Sequence, residues 1–524
     1  MTADNTYPRF NTEVLSIVCK TIDSVFDRNQ RSDPLISLYI SYTLLFHHPL
    51  PVSTSTFISP LLWRTPNCNL KLKPRTETAD PLLQLGQVVF ESTRLENNIE
   101  KMIKVEVIST ENIKPSSPTP ASLSSYKLSS LDQLAPPFYV PLVLFYTRHG
   151  RGQDQNSLKT SLSKTLARFY PFAGRLKDEY HVDCNDQGVE FTEARVNIQL
   201  AEFLRQPEVD VLNLLFRFNP FHITFRMELL LAIQLNIFEC GGMAIAVLVS
   251  HKIADGTTTA AFLNAWSTTT RGVDGVIQPK FMANSLFPAR ASIPEYFYTT
   301  EEKILTVRFI IHELKIAALI NRSASSSQRW RPTRIEAVSA LIWGALMRVR
   351  VDKGLKNASV ALHAVNLRPR MDPPLSDCSF GNLWVHAVTA GVAGSERVED
   401  MQRCMEGQAR DAIKAVDTDY IEELQRPDRA LRFYECMESA AEKYSNCGMD
   451  VYHFTSWCRF PCYEMDFGWG KPVWISVYIP AKNAVLLLDG SGGDGMEAWV
   501  TLVEDEMEKL KFDPELLSFF TCAS

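Results

Sequence analysis

Residues 229–256 read LLLAIQLNIFECGGMAIAVLVSHKIADG, and the reading of the whole chain turns on them. Leu229 to Phe238 and Met243 to Val249 are largely apolar runs, parted by Glu239-Cys240-Gly241-Gly242. Two such runs around a glycine turn predict a strand pair. The second run ends at Ser250-His251-Lys252-Ile253-Ala254-Asp255-Gly256, so His251 sits at a strand end, on a rim that a substrate can reach. Asp255, four residues on, is placed to fold back and brace the local backbone. With 10 His and 27 Asp in the chain, H-x-x-x-D arises by chance in roughly every second chain of this length. Alone it describes a satisfied rim histidine.

Outward from this stretch, strong elements alternate. Leu142 to Tyr146 is a buried-strand candidate, and Leu158, Leu162 and Leu166 predict a helix over 157–168, stopped by Pro171. Thr333 and Glu336 form a capping box for a helix carrying Val338, Leu341, Ile342, Ala345 and Val349. Val360 to Val365 and Ala484 to Leu488 predict further strands, and residues 496–511 a last amphipathic helix. Residues 281–306, with Pro288 and Pro294, suit a crossover linker. The pattern is mixed α/β in two halves, 102–280 and 307–524. Residues 1–101 differ: 49–79 are rich in Pro, Ser and Thr, and only Leu15 to Phe26 suggests a short helix. They are expected to be a loosely structured extension, or to precede the true start at Met102. Acids at Asp4, Glu13, Asp23 and Asp27 argue against a secretory or transit leader.

Composition narrows the function classes. The 524 residues carry 54 Lys+Arg against 60 Asp+Glu, a net charge of −6, so the electrostatic footprint of a nucleic-acid binder is missing. No apolar run reaches the ~18 residues of a membrane span. Eleven cysteines without paired spacing suit a reduced, cytoplasmic protein. No H-E-x-x-H occurs and Cys458-x-x-x-Cys462 lacks a second pair, so no metal site is expected. Gly490-Ser491-Gly492-Gly493-Asp494-Gly495 fits G-x-G-x-x-G, but the chain ends at Ser524, too soon for a second strand and its acid. A tight glycine turn fits better. Asp466-Phe467-Gly468 lacks the His-Arg-Asp and Ala-Pro-Glu partners of a kinase.

Taken in order, the remaining motifs change the weight of His251. Tyr170-Pro171-Phe172-Ala173-Gly174-Arg175 precedes it, and Asn366-Leu367-Arg368-Pro369-Arg370 follows. Thr455-Ser456-Trp457-Cys458-Arg459 and Asp466-Phe467-Gly468-Trp469-Gly470 come near the C-terminus. From Met102 to Leu517 this set resembles the plant BAHD acyltransferases, whose hallmarks are H-x-x-x-D-G and D-F-G-W-G. Ser125 to Leu134 and Phe238 to Gly242 are most similar to the alkaloid-acylating branch.

The resemblance implies a two-lobed, chloramphenicol-acetyltransferase-like α/β fold with a solvent channel. Acyl-CoA, expected to be acetyl-CoA, and a small-molecule alcohol acceptor would meet there, with no permanently bound cofactor and the monomer as working unit. His251 is then the general base, suited by a pKa near working pH. Trp457 is the expected oxyanion donor, with Thr455 as a lesser candidate. Asp255 is expected to pair with Arg368, Gly256 to permit a turn, and Asp466, though grouped with the catalytic candidates, to organise the site from a distance. Basic side chains at a channel mouth should meet the CoA phosphate. The competing expectations are another branch, with an aromatic donor or amine acceptor, and a non-catalytic binding protein of the same fold.

Overall fold

The computed structural model describes residues 103–523, apart from 148–154, 206–207, 221–227, 274–276, 292–301, 325–329, 354–357, 393–397 and 427–448. The expectations for residues 1–101, Leu15 to Phe26 included, lie outside the described residues.

The opening stretch forms its strand pair. The first half contributes β1 (Val105–Ile113), β2 (Tyr139–Tyr146), helix α1 (Gln155–Leu166), β3 (Val189–Val196), β4 (Leu231–Phe238), β5 (Met243–Ser250) and helix α2 (Gly256–Thr270). β4 and β5 pair antiparallel from Leu231↔Val249 to Ile237↔Met243, with Gly241 at φ 78° in the turn between them. That left-handed backbone is one glycine adopts without a side-chain clash. All eight residues of β2 are buried, which explains its continuous apolar run.

The second half adds β6 (Ile304–Ile311), helix α3 (Arg334–Asp352), β7 (Ser359–Asn366), β8 (Trp384–Val388), β9 (Asp450–Ser456), β10 (Trp474–Val477), β11 (Ala484–Asp489), β12 (Met496–Val503), helix α4 (Glu504–Leu510) and β13 (Thr521–Ala523). Among the described residues, the two large sheets run β1-β3-β4-β5-β2-β10 and β8-β7-β9-β11-β12-β6-β13, beside a small sheet of Ser125–Lys127, Arg175–Leu176 and His181–Asp183. The capping box of α3 is present: Glu336 N–H donates to Thr333 Oγ1 at 3.2 Å, and Thr333 N–H to Glu336 Oε2 at 2.8 Å. Such caps contribute about 1 kcal/mol.

Two expectations need correcting. Residues 496–511 are not one helix: Met496–Val503 is a strand with every residue buried, and only Glu504–Leu510 is helical. A strand covered on both faces loses its period-2 signature, so Met-Glu-Ala-Trp-Val-Thr-Leu-Val mimics a helix face. The expected linker 281–306 holds a short helix at Ala283–Leu286, and its last three residues already belong to β6. One strand of the second half crosses to the first sheet, where β10 pairs with β2 from Trp474↔Phe145 to Val477↔Leu142. Its four buried residues cover the apolar edge of β2.

Candidate active site

A cavity of about 900 Å³, counting its open mouth, lies between the sheets and is lined from both. Phe138, Val140, His251 and Gly256 come from the first half, and Asn366, Trp384, His386, His453, Thr455 and Trp457 from the second. His251 stands one residue past β5, where its N–H donates to the Phe138 carbonyl at 2.9 Å. Phe138 meets the imidazole edge to face at 5.6 Å, and Trp384 flanks it at 5.8 Å.

The hydrogen bonds around Asn382 fix the tautomer of His251. Asn382 Nδ2 donates to Asp132 Oδ1 (2.9 Å) and to the His251 carbonyl (2.8 Å). Its Oδ1 accepts from the Trp384 indole, a group that can only donate, at 3.2 Å. The same Oδ1 lies 3.0 Å from His251 Nδ1, which must therefore carry the hydrogen. Nε2 keeps its lone pair on a ring that lines the cavity. Burial lowers the imidazole pKa from its ordinary value, and Asp255 and the Asn382 bond oppose that shift only in part. His251 is consequently neutral at pH 7, as a base must be.

Asp255 faces away from this ring, into a buried clamp. Arg368, with no exposed surface, donates from Nη1 to Asp255 Oδ2 (2.7 Å) and from Nη2 to Oδ1 (3.1 Å). Asp255 also caps α2 by accepting from the Thr258 N–H (2.8 Å) and accepts from the Leu383 N–H (3.1 Å). Burial pushes its carboxyl up, but Arg368 and these N–H groups hold it below the usual carboxylate value. Arg368 further donates from Nη2 to the carbonyls of Ser379 (2.8 Å) and Gly381 (3.1 Å). The pair thus ties the start of α2 to the segment that delivers Asn382.

Gly256 acts through space and not through a turn, contrary to expectation. Its φ is not left-handed, but a Cβ there would lie 2.8 Å from both Nε1 and Cε2 of the Trp457 indole. The missing side chain lets Trp457 sit against the N-terminus of α2. Among the described residues the indole N–H of Trp457 donates to no protein atom, and the ring lines the cavity beside Thr455.

Asp466, grouped with the catalytic candidates but expected to organise the site from a distance, stands elsewhere. It does not line the cavity. Its Oδ1 accepts from the N–H groups of Gly468 (2.7 Å) and Gly470 (2.9 Å), both at positive φ. Its Oδ2 lies 3.8 Å from Arg271, the C-cap of α2. Fifteen helical residues separate that end from Asp255, a rise of roughly 22 Å. Phe467, fully buried, packs on Trp266 of the same helix at 4.8 Å.

Sequence reasoning missed Asp132, Asn382, Trp384, His386 and His453. Only the last three left a trace, as polar or aromatic side chains at every second position of strands: Trp384 and His386 on β8, His453 and Thr455 on β9. Among the described residues no group of three or more His, Cys, Asp or Glu is placed to hold a metal, and no helix is long and apolar enough to cross a membrane.

Comparison with known proteins fits this geometry. The family model described as the Transferase family matches residues 103–517. Stemmadenine O-acetyltransferase of Catharanthus roseus is 38% identical over 423 residues, covering 78% of this chain and 97% of that protein. Limonoid 1-O-acetyltransferase of Citrus sinensis is 38% identical over 444 residues, covering 80% and 98%. The crystal structure of vinorine synthase, an enzyme of Rauvolfia serpentina, superposes with a TM-score of 0.69 at 36% identity, covering 79% of this chain and 98% of that one. The chain belongs to the Transferase family, the BAHD acyltransferases, and is an acyltransferase.

Proposed function

We propose that this chain transfers an acetyl group from acetyl-CoA to a hydroxyl of an alkaloid or similar plant specialised metabolite, with His251 as general base. The observation that carries the reading is the fixed tautomer of His251, whose lone-pair nitrogen belongs to a ring on the cavity wall. The acceptor hydroxyl gives its proton to Nε2 as its oxygen attacks the thioester carbonyl. The carbonyl oxygen becomes an oxyanion, which accepts from the Trp457 indole N–H or, secondarily, from the Thr455 hydroxyl. The C–S bond then breaks and the thiolate of CoA takes the proton from His251. No acyl-enzyme forms. Two of the named relatives are O-acetyltransferases, of stemmadenine and of a limonoid, which supports both the donor and the acceptor class.

Asp255, Arg368 and Gly256 position the site, and Asp466 acts on the far end of α2. The working unit in this reading is one chain in the cytoplasm, consistent with seven unpaired cysteines among the described residues. The family match begins at residue 103, so a protein starting at Met102 should keep its turnover; loss of folding on that truncation would make residues 1–101 a working domain. The deciding experiment incubates purified protein with acetyl-CoA and a panel of alkaloid and triterpenoid alcohols and measures released CoA and ester. Silence across the panel, with other acyl-CoA donors tried as well, would remove the reading.

A further inference from the structure

One wall of the chamber carries a polar group that the chemistry above does not use. β8 is the edge strand of its sheet, paired with β7 from Leu362↔Val388 to Asn366↔Trp384. Its alternation sends Val385 and Ala387 into an apolar cluster with Leu367 and Leu383, and turns Trp384 and His386 toward the cavity. Ala364, opposite His386 in the register, is small and leaves the imidazole uncovered. A row of rings results: His251 to Trp384 at 5.8 Å, Trp384 to His386 at 4.8 Å, His386 to His453 at 5.5 Å.

Among the described residues neither ring nitrogen of His386 hydrogen-bonds a protein atom. The imidazole stands between aromatic faces with its open side toward the cavity. Something that enters the chamber is therefore its natural partner. Burial, with the neighbouring His453, His363 and His251, pushes its pKa down to about 3, so the ring is neutral and offers one donor and one acceptor. Among the described residues Asp255 is the one carboxylate on the lining, and Arg368 neutralises it. An ammonium group would find no counter-charge, whereas a hydroxyl or carbonyl oxygen matches a neutral imidazole.

We propose that His386 is a binding residue for a second, uncharged oxygen of the acceptor, a hydroxyl or carbonyl held two rings away from the hydroxyl at His251. This rests on the reading of the chamber as the acceptor site. It makes the preferred acceptor a rigid polycyclic alcohol with oxygens at both ends, and not a mono-alcohol.

The test uses two probes on the full chain, 5α-androstane-3β,17β-diol and the mono-alcohol 5α-androstan-3β-ol, with binding read by calorimetry. The diol should bind wild type about tenfold more tightly than the mono-alcohol. His386→Phe should bring that ratio near one, and His386→Gln, which keeps a donor and an acceptor, should restore part of it. Equal binding of the two by wild type, binding of neither, or a preference retained by His386→Phe overturns the proposal. So does tighter binding of the matching 17β-amine than of the diol at pH 7. Acetyl transfer to the probes is read separately: if the diol binds with the His386-dependent preference but is never acetylated, the proposed function fails and His386 stands.

Discussion

The two ends of helix α2 each set an aspartate beside glycine, yet they do opposite things. At the N-terminal end Asp255 is clamped by Arg368 while Gly256 leaves the helix open to Trp457 and the cavity. At the C-terminal end Asp466 closes a turn through Gly468 and Gly470, and Phe467 and Trp469 seal it in the core. The five-residue D-F-G-W-G motif is the stronger sequence signal of the two, and it is the one that does not line the cavity. How specific a motif is and how close it stands to the chemistry are separate properties.

The comparison is broken most directly at His251. His251→Ala should lower kcat by about 10²–10⁴ with the melting temperature within a few degrees of wild type; a rate near normal would move the base elsewhere. Next comes Asp255→Asn, which leaves the wholly buried Arg368 without its counter-charge. A loss of about 3–5 kcal/mol in urea unfolding is expected, with activity falling as folded protein is lost. Asp466→Ala should leave the Gly468 and Gly470 N–H groups without their acceptor at the far end of α2 and cost about 1–3 kcal/mol. Turnover per folded molecule should stay within a few-fold, and a selective fall in kcat would bring Asp466 into the chemistry after all.

Gly256→Ala is the finer probe of the open end. Its Cβ must displace the Trp457 indole, at a cost of about 1–3 kcal/mol, and kcat should fall by more than stability alone explains. The smallest effect is in pH. The folded pKa of His251 lies below its ordinary value, so the base is neutral at pH 7 and loses function only as pH falls through that lower value. The acid limb of kcat/KM should therefore have its midpoint below pH 6.5; a midpoint above it would contradict the burial of the ring.

How much of this was legible depends on chain separation. His251, Asp255 and Gly256 are neighbours in sequence, and the strand end that presents them follows from two apolar runs and a turn. Arg368, Trp457 and Asp466 were reachable only through the resemblance, since no spacing rule joins residues a hundred or more positions apart. Asn382 and Asp132 were not reachable: nothing in Gly381-Asn382-Leu383 announces that it meets a short helix 250 residues earlier. The same cause explains β12, whose burial on both faces is a property of its neighbours and not of its own eight residues.

By itself the sequence determined the alternation of strands and helices, the capping of α3, and a histidine on a rim, because periodicity and turn chemistry act over a few residues. The tertiary structure decided the tautomer of His251, the spatial role of Gly256, the distance of Asp466 and the exposure of His386 to the chamber. Each of those depends on which atoms of distant segments come within hydrogen-bonding or van der Waals reach, and that is settled only when the two sheets pack.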